Sequence, residues 1–435
     1  MAKLAINGGR KIRNKNFPAY NNFGTEEEKA VLRVFKSGRL SGYIGAQHAR
    51  FYGGEEAKSF ETEWSKYFGV KHAIVVNSAT SGLICAVGAI GTSPGDEIIV
   101  TPYSMSCSAT APLFYGAIPV FADIEEDFFC LSAKSIEERI TKNTRAIIVV
   151  DLFGLPYDSK NINKLAKERG LVVIEDAAQA IFANYGKKYA GTLGDIGIHS
   201  LNFHKHIHTG EGGVIVTDND LFAERARMIR NHAEAVIDGR GGFETLVNMV
   251  GFNFRMTEIT AAIGKEQLKK VKPLVEERRT NVEYLSQGLK NIPCIKLGKV
   301  RKDCTHSYYY QPLQYSSEIA GVHRDVFVDA VKAELLPYEK RTDEGVTLGK
   351  GYIKPIHLLP LFQNKIAIGS AGWPWNSPWN KSGVKYDKGI CPVAESCYDN
   401  VLINNELFKP PMTRDDLDDV VRAFEKVWKY KEELK

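Results

Sequence analysis

The residues best suited to chemistry fall in one stretch. Ile174-Glu-Asp176-Ala-Ala-Gln179 ends an apolar run in acids. Gly191-Thr-Leu-Gly-Asp-Ile-Gly follows, and then His199-Ser200-Leu-Asn-Phe-His204-Lys205-His206-Ile-His208-Thr-Gly-Glu-Gly-Gly213. In an open parallel sheet the strand carboxyl ends are where ligands bind. A lysine placed there can form a Schiff base, and an aspartate there can hold a protonated ring nitrogen. Those are the two groups that pyridoxal 5'-phosphate (PLP) asks of a protein. Singly, each signal is ordinary. An Asp at a strand end is usually a helix cap, a lone Lys is usually solvated, and Gly-Glu-Gly-Gly fits any turn. Their combination carries the argument.

PLP also needs a phosphate site, and Val75-Val-Asn77-Ser78-Ala79-Thr80-Ser81-Gly82 is the candidate. It joins a strand to a helix through small residues, and free N–H groups at a helix start bind phosphate. An ordinary polar N-cap is the competing reading of that segment alone. His204, His206 and His208 alternate around Lys205. Histidines two apart can share a strand face and bind metal. Tight packing, with one histidine touching substrate, is the preferred reading, and no metal is expected.

These groups need a scaffold to position them. Short apolar runs at His72–Val76, Glu97–Thr101, Ile118–Asp123, Ala146–Asp151, Leu171–Asp176 and Val214–Thr217 read as buried strands. Helical patterns precede the first run, at 57–68, and lie between later ones, at 81–90 and 162–169. Such alternation predicts an α/β fold with a mostly parallel sheet covered on both faces. A long charged helix is expected from Thr257 to about Lys290. After it, a smaller domain mixes strands, such as Ser307–Leu313, with a terminal amphipathic helix capped at Thr413. Residues 1–270 are read as the large domain, with about 25 N-terminal residues as an extension, and 271–435 as the small one. Ile366–Gly389, with Trp373, Trp375 and Trp379, reads as an aromatic loop that either packs on the surface or faces substrate.

Composition sets outer bounds. The chain has 435 residues, 44% hydrophobic and 25% charged, which is ordinary for a globular protein. A net charge of +5 is too weak to argue for nucleic acid but suits a phosphorylated small molecule. No apolar run approaches the roughly 18 residues of a membrane span. The start has no secretory pattern. The 7 cysteines are scattered without CxxC spacing, as reduced core residues are. The expected compartment is cytoplasmic, with no nucleic-acid or membrane partner.

On these motifs the chain resembles the DegT/StrS group of PLP-dependent sugar aminotransferases, which are fold-type I enzymes like aspartate aminotransferase. Ile6-Asn-Gly-Gly, Val70-Lys-His-Ala, Gly251-Phe-Asn-Phe-Arg-Met-Thr-Glu and Cys391-Pro-Val-Ala-Glu extend the match, in the family's order, over nearly the whole length. The resemblance implies a seven-stranded sheet in the large domain. It implies that Lys205 is the Schiff-base lysine, needing an amine pKa lowered toward neutral, and that Asp176 pairs with the pyridine nitrogen. Gln179 would lie near the ring's phenolic oxygen. Ala79, Thr80 and Ser200 would receive the phosphate. Asn253 would reach it from the neighbouring subunit, which implies a homodimer with shared active sites.

Several positions depart from the family's pattern. Met105, in Pro102-Tyr103-Ser-Met105, stands where an aromatic usually covers the ring, and Tyr103 is the other candidate. Asp151 stands where a histidine often precedes Leu-Tyr-Gly, Leu201 follows Ser200 in place of Phe, and His204 replaces a small residue. His204 and His357 are candidate substrate contacts.

The expected activity is a ping-pong transfer of an amino group from glutamate or glutamine to the ketone of a nucleotide-linked keto-deoxy sugar. Three alternatives stand beside it. One is a keto-cyclitol acceptor. Another is a PLP-dependent keto-sugar dehydratase, in which histidine replaces the lysine. The last is a non-catalytic PLP-binding regulator.

Overall fold

The computed structural model describes residues 3–46, 48–233 and 249–435. Its larger sheet contains β1 (His72–Val76), β2 (Glu97–Val100), β3 (Ile118–Phe121), β4 (Thr144–Val150), β5 (Val172–Asp176), β6 (Ile196–Ser200) and β7 (Gly213–Thr217). Their spatial order is β1-β7-β6-β5-β4-β2-β3. β7 runs antiparallel to both neighbours, and every other pairing is parallel. The strands are short and rich in Ile and Val because both faces are covered. Ile98, Ile99, Ile147, Ile148 and Ile174 are all fully buried.

Helices α1 (Thr25–Lys36), α2 (Glu55–Phe68), α3 (Ala79–Ala89), α4 (Ala133–Arg139), α5 (Ser159–Arg169) and α6 (Asp220–Arg230) accompany this sheet. α3 lacks a polar face because it is enclosed on all sides, from Ser81 to Ala89. α5 is amphipathic, starts at the Asp158 cap and stops at Gly170, whose φ of 65° few other residues adopt.

The 32-residue α7 (Glu258–Leu289) begins at a Thr257 cap and spans about 48 Å. Its first part packs on α1 and α2, and it also packs on α9 (Arg414–Lys429) of a second unit. That unit holds α8 (Arg324–Ala333) and an antiparallel sheet of β8 (Ile295–Leu297), β9 (Gln311–Tyr315), β10 (Leu348–Lys350) and β11 (Leu402–Asn405). Its core joins Leu285, Leu313, Phe327, Val331, Ile403, Leu417 and Phe424. Thr413 and Asp416 form a reciprocal capping box at the start of α9.

The N-terminal segment runs across these elements. Leu4 and Phe17 enter the second unit's core, and Arg13 is buried against Asp416 and Asp419 at 2.8 Å each. The chain then passes toward α1 and α7. Two other places differ from the sequence-based reading. Ser307–Tyr310 is not strand. Ser307 N–H donates to the Gly154 carbonyl (2.9 Å) and Tyr309 N–H to the Phe153 carbonyl (2.8 Å), so this run is held on the larger sheet and the strand begins at Gln311. β6 is strand although Gly197 interrupts its short apolar run, so the sequence pattern does not announce it.

The aromatic loop packs along edge strand β3. Trp375 is buried and donates to the Tyr386 hydroxyl (3.0 Å), which donates to the Pro119 carbonyl (2.8 Å). Covering an edge strand in this way blocks unwanted pairing. Trp373 lies against Gly116, while Trp379 is 61% exposed. Among the described helices none is long and apolar enough to cross a membrane.

Candidate active site

The sheet brings the singled-out segments to one edge. β1, β4, β5 and β6 all end there, in Asn77, Asp151, Asp176 and Ser200. β7 starts there, because Gly213 pairs with both Val76 and Ser200. Gly213 has to be glycine. A Cβ would sit 2.7 Å from the Ala79 nitrogen and from the Ser78 carbonyl carbon. The Gly-Glu-Gly-Gly turn and the Ser78–Thr80 turn are therefore in direct contact.

Ala79 and Thr80 are the first two residues of α3. Ser78 Oγ caps the helix by accepting from Ser81 N–H at 3.0 Å, and Ser81 Oγ donates to Asn77 Oδ1 at 2.6 Å. The N–H groups of Ala79 and Thr80 thus point out of the helix start, where an anion is favoured. Ala79 has helical geometry, so alanine meets no strain where glycine is usual. Ser200 is buried and accepts from Asn202 N–H at 3.3 Å, which leaves its hydroxyl proton for another partner.

Asp176 is buried at the end of β5. Its Oδ2 accepts from Ser108 Oγ (2.8 Å) and its Oδ1 from Ala178 N–H (3.1 Å). Burial pushes its carboxyl up. The two hydrogen bonds and the charge of Lys205 pull the other way. Lys205 is buried as well, in the irregular loop between β6 and β7, with Nζ 4.1 Å from the centroid of the Tyr309 ring. Burial, then the charge of Asp176, pushes the Cys107 thiol to about 11 beside Thr80. That thiol is a packing group rather than a nucleophile.

Gln179 is buried with both ends of its amide engaged. Its Oε1 accepts from Phe153 N–H (2.8 Å), and its Nε2 donates to the Tyr352 hydroxyl (3.0 Å). One amide hydrogen remains. Tyr103 is fully buried, and its hydroxyl accepts from Tyr352 N–H at 2.9 Å, so its ring is committed to the core. Met105 is 53% exposed. Asn253 is exposed in the single chain, with Oδ1 accepting from Arg255 Nε at 2.8 Å. The next residue, Phe254, meets the start of the Ser78–Thr80 turn in the same chain, where Asn77 N–H donates to its carbonyl at 2.9 Å.

The three histidines point in different directions because their loop is not a strand. His204 reaches toward Glu344 (3.7 Å), which Arg341 grips through two nitrogens. His206 is fully buried with Nε2 2.9 Å from the Ser307 carbonyl, so Nε2 carries the hydrogen and the ring is neutral. Burial and the charge of Arg278 hold its pKa well down. His208 meets the Phe23 ring edge-on. His357 is fully buried, with Nε2 2.9 Å from Glu395 Oε1 and the ring beside Phe121.

Ser108, Tyr309, Tyr352, Arg341 and Glu344 were not singled out from the sequence. Ser108 carried a weak signal, since it stands one helical turn after Met105. Tyr309 was hidden in a run read as strand. The residues present fit PLP: an anion cradle at Ala79, Thr80 and Ser200, a buried carboxylate at Asp176, and a buried amine at Lys205.

The sequence model of the DegT/DnrJ/EryC1/StrS aminotransferase family matches residues 44–425. A GDP-perosamine synthase of Vibrio cholerae is 30% identical over 79% of this chain and 89% of its own. A putative L-glutamine:3-amino-2,3-dideoxy-scyllo-inosose aminotransferase of Streptoalloteichus tenebrarius is 30% identical over 98% of both chains. Among solved structures, the E. coli GDP-4-keto-6-deoxy-D-mannose-3-dehydratase with bound hydrated PLP has a TM-score of 0.75 at 25% identity, covering 95% of this chain and 100% of that one. With a seven-stranded, mostly parallel sheet that is fold-type I, the chain belongs to the DegT/DnrJ/EryC1/StrS family of PLP-dependent sugar aminotransferases.

Proposed function

We propose that the protein transfers an amino group from glutamate or glutamine to the ketone of a nucleotide-linked keto-deoxy sugar, in two half-reactions at one site. The observation that carries this reading is the pair Lys205 and Asp176, a buried amine and a buried carboxylate at one sheet edge, close enough for the lysine's charge to act on the aspartate. Bound PLP supplies the carbonyl that takes up the amino group and a ring that accepts the electron pair. The chain's own groups do the rest. Asp176 would hold the ring's N–H, its ionised form favoured against burial by the Ser108 and Ala178 hydrogen bonds and the charge of Lys205. Lys205 moves a proton to and from the substrate carbon. Ala79, Thr80 and Ser200 anchor the phosphate, and Asn253 of one subunit completes the anchor in the other, which makes a homodimer the working unit. Met105 would cover the ring, Gln179 would offer its remaining amide hydrogen to the phenolic oxygen, and His204 would face the substrate.

The dehydratase reading needs a histidine in place of Lys205. Of the two histidines that flank it, His206 is sealed against the Ser307 carbonyl and His204 reaches toward Glu344. A keto-cyclitol acceptor is the second reading, favoured by end-to-end similarity to the putative scyllo-inosose aminotransferase. The deciding experiment loads the enzyme with PLP, adds glutamate or glutamine, and then offers a panel of nucleotide-linked keto sugars and keto-cyclitols. Mass spectrometry reads the amine product. An amino sugar from the first group supports the proposal, and an amine only from the second replaces it with the cyclitol reading.

A further inference from the structure

The loop that carries Lys205 is held from an unexpected direction. Within the loop, Lys205 N–H donates to the Asn202 carbonyl and Thr209 N–H to the Leu201 carbonyl, each at 2.9 Å. The next peptide oxygen beyond Lys205, that of His206, is bonded by two side chains of the N-terminal segment. Tyr20 donates its hydroxyl at 2.5 Å and Asn22 its Nδ2 at 3.1 Å. A carbonyl has two lone pairs, and both are used.

Asn22 is itself fixed. Its carbonyl accepts from Gln267 Nε2 (3.1 Å) and Lys270 Nζ (3.0 Å). Gln267 is fully buried, and its Oε1 accepts from His208 N–H at 3.2 Å. The Tyr20 ring lies under the Arg278 guanidinium at 5.1 Å. Upstream, Phe17 N–H donates to the Pro337 carbonyl at 3.0 Å, and its own carbonyl accepts from Glu339 N–H at 2.8 Å. Residues 3–22 thus form a strap anchored on the second unit, and its far end, just before α1, closes on the lysine loop.

We infer that Tyr20 and Asn22 are positioning residues for the amino-transfer reaction, acting on Lys205 through the His206 carbonyl. The inference rests on the reading of Lys205 as the cofactor lysine. A proton-transferring amine must be held at the reacting carbon, and small misplacements cost rate rather than substrate binding. The loop has few ladder bonds of its own, so the strap supplies its rigidity.

The test uses full-length protein with Tyr20→Phe, Asn22→Ala and the double variant, and Lys15→Ala on an exposed part of the strap as control. In the glutamate half-reaction the double variant is expected to lose about tenfold in kcat with KM nearly unchanged. Tyr20→Phe alone, which keeps its ring under Arg278, is expected to lose about threefold. In PLP-free protein, acetic anhydride should label Lys205 several times faster in the double variant, read by peptide mass spectrometry, while Lys15→Ala matches wild type. Unchanged kcat and labelling in a folded double variant would overturn the inference. Wild-type protein that takes up PLP at a residue other than Lys205 would instead overturn the functional reading beneath it.

Discussion

Glu175 and Asp176 are adjacent carboxylates on one strand end, yet they face different regions. Glu175 is fully buried and turned to the rear. Its Oε1 accepts from Gly191 N–H (2.6 Å), and its Oε2 accepts from Leu193 (2.7 Å) and Gly194 (2.9 Å) N–H groups. Asp151 lies beside it, and burial, then the charge of Glu175, pushes the Asp151 carboxyl well up. Asp176 accepts only two hydrogen bonds and faces a lysine. A carboxylate saturated by main-chain donors fixes a loop. One with lone pairs to spare can hold a ligand. β6 repeats the contrast. His199 is buried among Trp64 and Phe68 on the rear side, where a Cβ on Gly191 would collide with it, and Ser200 follows it at the site edge.

The sharpest way to break this contrast is to neutralise each acid in turn. Asp176→Asn is expected to lower kcat on the order of a thousandfold. Its thermal midpoint should hold or rise, because a desolvated charge is removed. Equal activity with wild type would end the site assignment. Glu175→Gln should do the reverse. It turns one acceptor into a donor against the 191–194 N–H groups and should cost about 3 kcal/mol in urea unfolding, with kcat per folded molecule within about twofold. A kcat loss matching that of Asp176→Asn would erase the distinction between the two acids.

The smallest effect concerns His199, whose pKa burial lowers to about 3. The unfolded chain takes up a proton near pH 6.5 and the folded one does not. Stability is therefore full above that pH and falls as pH drops toward 3. The loss should reach about 2 kcal/mol at pH 5. His199→Phe, placed among aromatic neighbours, should flatten that part of the pH profile in urea titrations. A slope unchanged by the variant would mean that His199 is not the buried neutral group.

Much of this was legible in the chain because it rests on local rules. Short Ile/Val runs mark strands buried on both faces, and the acids, lysine and glycines that follow them mark the ligand edge. The singled-out segments at 77–80, 176–179 and 199–213 do converge. What could not be read depends on distant contacts. Ser307–Tyr310 has strand-like residues, but carbonyls at 153 and 154 capture its N–H groups. The alternation of His204, His206 and His208 reads as tight packing, but it does not reveal that each ring finds its partner in a different part of the chain. His357 stands in a family-like loop, and only Glu395 reveals that it is sealed away. Nothing periodic in residues 3–22 announces a strap that reaches His206.

The central claim is that Lys205 is the amine that carries PLP. It is tested most directly by the absorbance spectrum of PLP-loaded protein, recorded before and after excess glutamate, beside Lys205→Ala. A lysine-linked band in wild type that shifts with glutamate and is missing from the variant is the predicted result. A wild-type band that survives in Lys205→Ala, or no band after PLP is added, would contradict the account.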